Sequence, residues 1–261
     1  MHPRHTGLLL VLTLLPPACV PMVPPAREAA IGTPAARVAA ESFAAVLDPA
    51  GGPPLGAAVA IGPLHALTSA HVARAAAKGG RVRLQCGDGV TEADAVVRAV
   101  SGRIDVALLD IPDGFLAPAL AAAAAPLAGD TVWAIGPHRL GRAIAAGRVM
   151  QPTAFVSGSG GGFTARLPVL MGYSGGPVVD REGHLLGLTT AALDETLGAH
   201  LVALLAGVDF AGLAFGEQRR VFVLGIRTAR DELRRLTVRL IDANVPTSAD
   251  LPTTAARRRA Q

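Results

Sequence analysis

Apolar and polar positions alternate in short runs along most of the chain, and each run is bounded by Gly, Pro or Asp. That pattern reads as short β-strands separated by turns. Residues 56–67 hold two strands joined at Gly62-Pro63, and 81–86 alternates strictly before the turn Gly87-Asp88-Gly89. A return strand over 93–100 follows, and further strands are predicted at 131–136, 143–151, 163–169, 178–180, 185–191, 200–208 and 221–226. Helical spacing occurs in two places. Residues 35–47 read as a short amphipathic helix, and Leu233, Leu236 and Leu240 mark another over 228–243, with Thr228 or a near neighbour as its N-cap. Many short strands with little helix before the end predict an all-β barrel or sandwich.

The flanks differ in texture. Arg4 precedes an apolar run from Leu8 to Leu15, which Pro16-Pro17-Ala18-Cys19 closes. A basic start, a run too short to span a bilayer and a small residue at the break describe a secretory signal. Residues 20–54 are rich in Pro and Ala and read as a tether ending in a Gly/Pro break over 48–54. Residues 117–128 are low-complexity alanine and read as a linker between two halves of one domain. From 244 to 261 the chain is Pro- and Thr-rich, ends in arginines and reads as a solvated tail.

Composition narrows the picture. With 51% hydrophobic but only 3% aromatic residues among 261, the core must be built from Ala, Val, Leu and Ile. A net charge of +4 and a pI near 10 invite a nucleic-acid role. The distribution argues against it: Lys78 is the one lysine, and the arginines are scattered apart from two pairs and the tail. Cys19 closes the signal and Cys86 lies in an alternating strand as a small buried hydrophobe, so no disulfide is expected. The glycine-rich stretch 157–162 lacks the Gly-Lys-Ser/Thr of a phosphate loop and reads as a hairpin.

The candidate chemistry centres on Gly172-Tyr173-Ser174-Gly175-Gly176-Pro177. A serine in such a turn is presented with bare backbone N–H groups beside it. His71 follows a strand in Leu67-Thr68-Ser69-Ala70-His71-Val72, where a general base can be held rigidly. Asp105 sits inside the apolar run Arg103-Ile104-Asp105-Val106-Ala107, where an unpaired carboxylate is costly to bury, and a histidine is its natural partner. Asp88, Asp94 and Asp110 compete for that role but fall at turns or strand ends.

Taken in order, these segments resemble the trypsin-like, chymotrypsin-fold serine peptidases, in particular the bacterial HtrA-type branch. Residues 129–137, opening a strand with Trp133, and 186–191, similar to the strand that pairs with substrate, complete the likeness over roughly 55–240. The resemblance implies two six-stranded antiparallel β-barrels with a C-terminal helix. The first barrel would span about 55–116, the second about 127–227 and the helix about 228–243. It implies a Ser-His-Asp triad of Ser174, His71 and Asp105, in the family's chain order. It further implies an oxyanion hole from the N–H groups of Gly172 and Ser174, with Pro168, Thr190, Ala191 and Ala192 lining an uncharged specificity pocket. Protein or peptide substrates cleaved after small or aliphatic residues follow, with no cofactor, metal or nucleic acid. About 20 residues follow the last helix, so no PDZ domain of the HtrA kind is expected.

Ala18-Cys19 also resembles the end of a bacterial lipoprotein signal, which implies lipidation of Cys19, membrane anchoring and an exported, periplasmic or outer-envelope location. A plain signal cut nearby is the other reading. Tyr173 stands where many relatives carry Asp or Asn. That departure leaves a second class open, a catalytically impaired protease-like binding or scaffold module.

Overall fold

A computed structural model describes residues 32–138, 141–192 and 219–244. The signal, the tail and the strand expected at 200–208 lie outside the described residues.

Twelve strands close into two antiparallel barrels. The first comprises β1 (Phe43–Val46), β2 (Gly56–Gly62), β3 (His65–Thr68), β4 (Arg81–Cys86), β5 (Glu92–Val100) and β6 (Ala107–Asp110), in the order β1-β2-β3-β6-β5-β4. The second comprises β7 (Thr131–His138), β8 (Gly141–Val156), β9 (Gly160–Leu167), β10 (Pro177–Val179), β11 (Leu185–Ala192) and β12 (Arg219–Gly225). Its order, β7-β8-β9-β12-β11-β10, is that of the first barrel with six added to each number. Closure leaves neither sheet an open edge.

Each barrel has its own core. Val46, Leu84 and Leu109 fill the first, and Val132, Phe163 and Val221 the second. A third cluster, with Phe43, Leu67, Ile135, Leu188 and Phe222, lies where the barrels meet. The helix α1 (Pro34–Glu41) joins that interface through Val38 and Ala39. Thr33 caps it by accepting from the Ala36 N–H at 3.2 Å, with Pro34 in its first turn.

The expectation of one helix over 35–47 is corrected here. The helix stops at Glu41, and 43–46 forms β1, so the first barrel draws a strand from ahead of residue 55. All four β1 residues are buried, because Ala44 and Val46 face the first core while Phe43 and Ala45 face the interface. β3 runs straight into the helix α2 (Ala70–Ala76), which carries His71. The C-terminal helix α3 (Ile226–Asn244) starts before Thr228, which therefore is not its N-cap. Ile226, Ala229 and Leu233 bury its inner face on the barrel interface. Cys86 is a buried free thiol, as its alternating position suggests.

Candidate active site

His71 enters the site because β3 ends at Thr68 and α2 begins at once. Asp105 lies in the loop between β5 and β6, and β6 is β3's neighbour in the sheet. The two therefore meet although they are 34 residues apart. The Asp105 Oδ2 is 2.8 Å from the His71 Nδ1, and its Oδ1 accepts the His71 backbone N–H at 3.0 Å. That second bond satisfies one of the N–H groups that the first turn of a helix leaves unpaired. The carboxylate is 14% exposed and the imidazole 51%, so the acid is sheltered while the ring's other edge faces solvent. Burial works to raise the Asp105 carboxyl, but the ring hydrogen bond, the backbone hydrogen bond and the charge of His71 outweigh it and hold the group below its ordinary value. An ionised carboxylate only accepts, so the Nδ1 carries the proton and the Nε2 is left as an acceptor.

The competing acids are engaged elsewhere. Asp88 closes its own turn by accepting from Val90 and Thr91, Asp94 pairs with Arg83 at 3.2 Å, and Asp110 pairs with Arg98 at 2.7 Å.

The serine turn is locked between the two barrels. The Ser174 carbonyl accepts from the Ala57 N–H at 2.8 Å on β2. The Gly175 N–H donates to the Thr189 carbonyl at 2.7 Å, and the Thr189 N–H donates back to the Gly176 carbonyl at 2.9 Å on β11. Gly175 has a φ of +82°, and a Cβ there would lie 2.3 Å from the Ala57 carbonyl oxygen and 2.7 Å from the Ser69 nitrogen. The turn thus packs directly on the residues that lead into His71. Gly56 shares this crowding, since its Cβ would lie 2.6 Å from both Val72 methyls and 2.8 Å from the Ser174 carbonyl oxygen. Sequence reasoning passed over Gly56 and the backbone of Thr189, because main-chain contacts leave no residue-type signature. Among the described residues, the N–H groups of Gly172 and Ser174 have no protein acceptor.

Tyr173 packs into the second barrel's core, where it is 5% exposed. Its ring lies on Gly136 of β7, close enough that a Cβ at 136 would sit 2.5 Å from the ring. Burial pushes its phenol well above the ordinary range, so the group stays neutral. The residue that set this chain apart is an apolar anchor for the turn. Tyr173→Ala will therefore destabilise the fold by about 3–4 kcal/mol in chemical denaturation, the usual cost of emptying a buried aromatic site.

Pro168 follows β9 directly and is half-buried. Thr190 is buried beside a register shift in β11, and its hydroxyl donates to the Phe222 carbonyl at 3.2 Å. The Ala191 and Ala192 backbones pair with Phe222 and Val221, while their side chains lie outside the described residues. Among the described residues, Asp180, Glu182 and His184 bring ligand-type atoms within 4.8 Å of one another. The Asp180 carboxylate already closes that hairpin by accepting the N–H groups of Glu182 and His184, and we assign no ion to it.

Two closed barrels, with a histidine–aspartate pair on the first and a glycine-rich serine turn leading into the second, place the chain in the chymotrypsin-fold class. The trypsin-like peptidase domain family matches residues 56–188, a span that includes His71, Asp105 and Ser174, and the chain belongs to that family of serine endopeptidases. No curated protein matches the sequence. Among solved structures, the active form of the Rv3671c protease from M. tuberculosis shares 23% identity at a TM-score of 0.59, covering 85% of this chain and 93% of that one. The HtrA-type protease AlgW, solved with a tripeptide, shares 20% identity at a TM-score of 0.59, covering 78% of this chain. A serine endoprotease from Yersinia pestis shares 22% identity at 0.57, also covering 78%. The chain spans 62% and 65% of those last two. At these identities the likeness is one of fold.

Proposed function

We propose that the chain hydrolyses peptide bonds through an acyl-enzyme formed on Ser174, with His71 as general base and Asp105 as its orienting partner. The observation that carries this reading is the doubly bonded Asp105, one oxygen on the His71 ring at 2.8 Å and the other on its backbone at 3.0 Å. That arrangement leaves the Nε2 as the acceptor for a serine proton. The Ser174 oxygen attacks the scissile carbonyl carbon while the Nε2 takes the hydroxyl proton. The imidazolium so formed, stabilised by Asp105, returns the proton to the departing amine nitrogen. Water then repeats the sequence on the ester carbonyl, releasing the acid and restoring Ser174. The N–H groups of Gly172 and Ser174 stabilise the oxyanion in both steps, and one such donor contributes about 3–4 kcal/mol in comparable sites.

Pro168 and Thr190, with Ala191 and Ala192, give the specificity pocket no charge, which favours small or aliphatic residues before the cut bond. Cleavage-site profiling with a peptide library will show kcat/KM at least about tenfold higher after Ala or Val than after Arg or Lys, and the reverse preference refutes the pocket assignment.

The apolar run at 8–15 closed by Cys19 supports export with lipidation of that cysteine and work in the cell envelope. A tagged fatty acid fed to expressing bacteria will label the protein and fail to label Cys19→Ser. Equal labelling of both excludes Cys19 as the anchor.

A further inference from the structure

Ser101 opens the segment that leads from β5 to Asp105, and it is 1% exposed. Each of its polar groups is engaged. Its N–H donates to the Val106 carbonyl at 3.0 Å, which closes the loop that carries Asp105. Its carbonyl accepts from the Arg74 Nη2 at 2.8 Å, and Arg74 stands on α2 three residues after His71. Its hydroxyl accepts the N–H groups of Arg103 at 3.0 Å and Ile104 at 3.2 Å. The hydroxyl proton is given to the Glu232 Oε1 at 2.5 Å, across 131 residues of sequence.

Glu232 lies on α3 and is 7% exposed. Arg235, one turn along, holds its other oxygen at 2.7 Å through Nε and also bonds the Oε1. The Arg235 hydrogen bond, working against burial and joined by the one from Ser101, holds the Glu232 carboxyl at about 2. It is therefore charged throughout the neutral range, and a charged acceptor makes a stronger bond to the Ser101 hydroxyl than a neutral one. Beside it, Ile104 packs against Gly160 of β9, where a Cβ would come within 2.9 Å of its side chain. The loop bearing Asp105 thus has a polar contact with α3 and an apolar contact with the second barrel, while the helix of His71 is tied to the same serine through Arg74.

We propose that Glu232 and Ser101 are positioning residues that register the His71–Asp105 pair of the first barrel against the Ser174 turn of the second. Neither touches substrate. This rests on the proposed triad and extends it to α3, which supplies the only side chain of the C-terminal helix that bonds the catalytic loop among the described residues. Misplacement of a reacting group by about 1 Å can cost about a hundredfold in rate, so loss of the tie falls on turnover and not on ground-state binding.

The test uses the full chain with a peptide ester and an active-site phosphonylating probe. Glu232→Ala will lower kcat about tenfold to a hundredfold with KM within about twofold of wild type. Glu232→Gln keeps an oxygen for the Ser101 hydroxyl but weakens the Arg235 pair. It will melt at lower temperature yet keep kcat within about threefold of wild type, a split that a purely structural role does not produce. Ser101→Ala combined with Glu232→Ala will lose no more activity than Ser101→Ala alone. If wild type reacts with the probe and folded Glu232→Ala keeps full kcat, or if Glu232→Gln loses kcat in step with its melting temperature, the tie is overturned while the triad stands. If wild type does not react, the triad fails and this proposal fails with it.

Discussion

Asp105→Asn will lower kcat by about four orders of magnitude with KM little changed, the scale of loss when the acid of a serine–histidine–acid set is amidated. The reason lies in the two bonds of that carboxylate. One oxygen accepts the His71 backbone N–H, and the other accepts the Nδ1 proton. An asparagine of the same shape has one oxygen, which stays with the backbone N–H. Its NH₂ group then faces the Nδ1 and can only donate, which moves the imidazole proton to the Nε2. A protonated Nε2 cannot take the Ser174 proton. The fold itself should tolerate the change, since shape and the helix-end bond are kept, so the melting temperature is the control that separates chemistry from unfolding.

Gly175→Ala will be nearly as damaging by a different route. The φ of +82° is a left-handed conformation that costs a residue with a Cβ about 1–2 kcal/mol. The added carbon would lie 2.5 Å from the Thr68 hydroxyl oxygen and 2.3 Å from the Ala57 carbonyl oxygen, both part of buried structure that cannot yield. The backbone of the turn must move instead, and it carries Ser174 with it. Protein that remains folded will show kcat down by at least about a hundredfold. Wild-type kcat in folded Gly175→Ala would show that the turn is not held as described.

Most strands were legible because period-two alternation survives where one face meets a core and the other meets water, as along β4. It failed at β1. There the two faces bury against different cores, so Phe43–Val46 reads as continuous apolar sequence and merges with the helix before it. The matching strand order of the two barrels was not legible either, since it is a property of pairing and not of residue type. Local chemistry singled out His71, Asp105 and Ser174 as candidates, and only the resemblance of their segments, taken in order, joined them as a proposed triad. Tyr173 could not be understood without knowing that β7 presents Gly136 beneath its ring. The Ser101–Glu232 bond was beyond reach, because a serine in a turn and a glutamate on a helix are ordinary residues until the fold joins them.

The proposed mechanism makes Ser174 the nucleophile that His71 activates. Its most direct test is intact-mass and peptide-level mass spectrometry of the purified protein after exposure to a fluorophosphonate. One adduct is expected, located on Ser174, absent from Ser174→Ala and formed at least about a thousandfold more slowly in His71→Ala. A folded wild-type protein that takes up no probe, or an adduct that persists at another residue in Ser174→Ala, would contradict it.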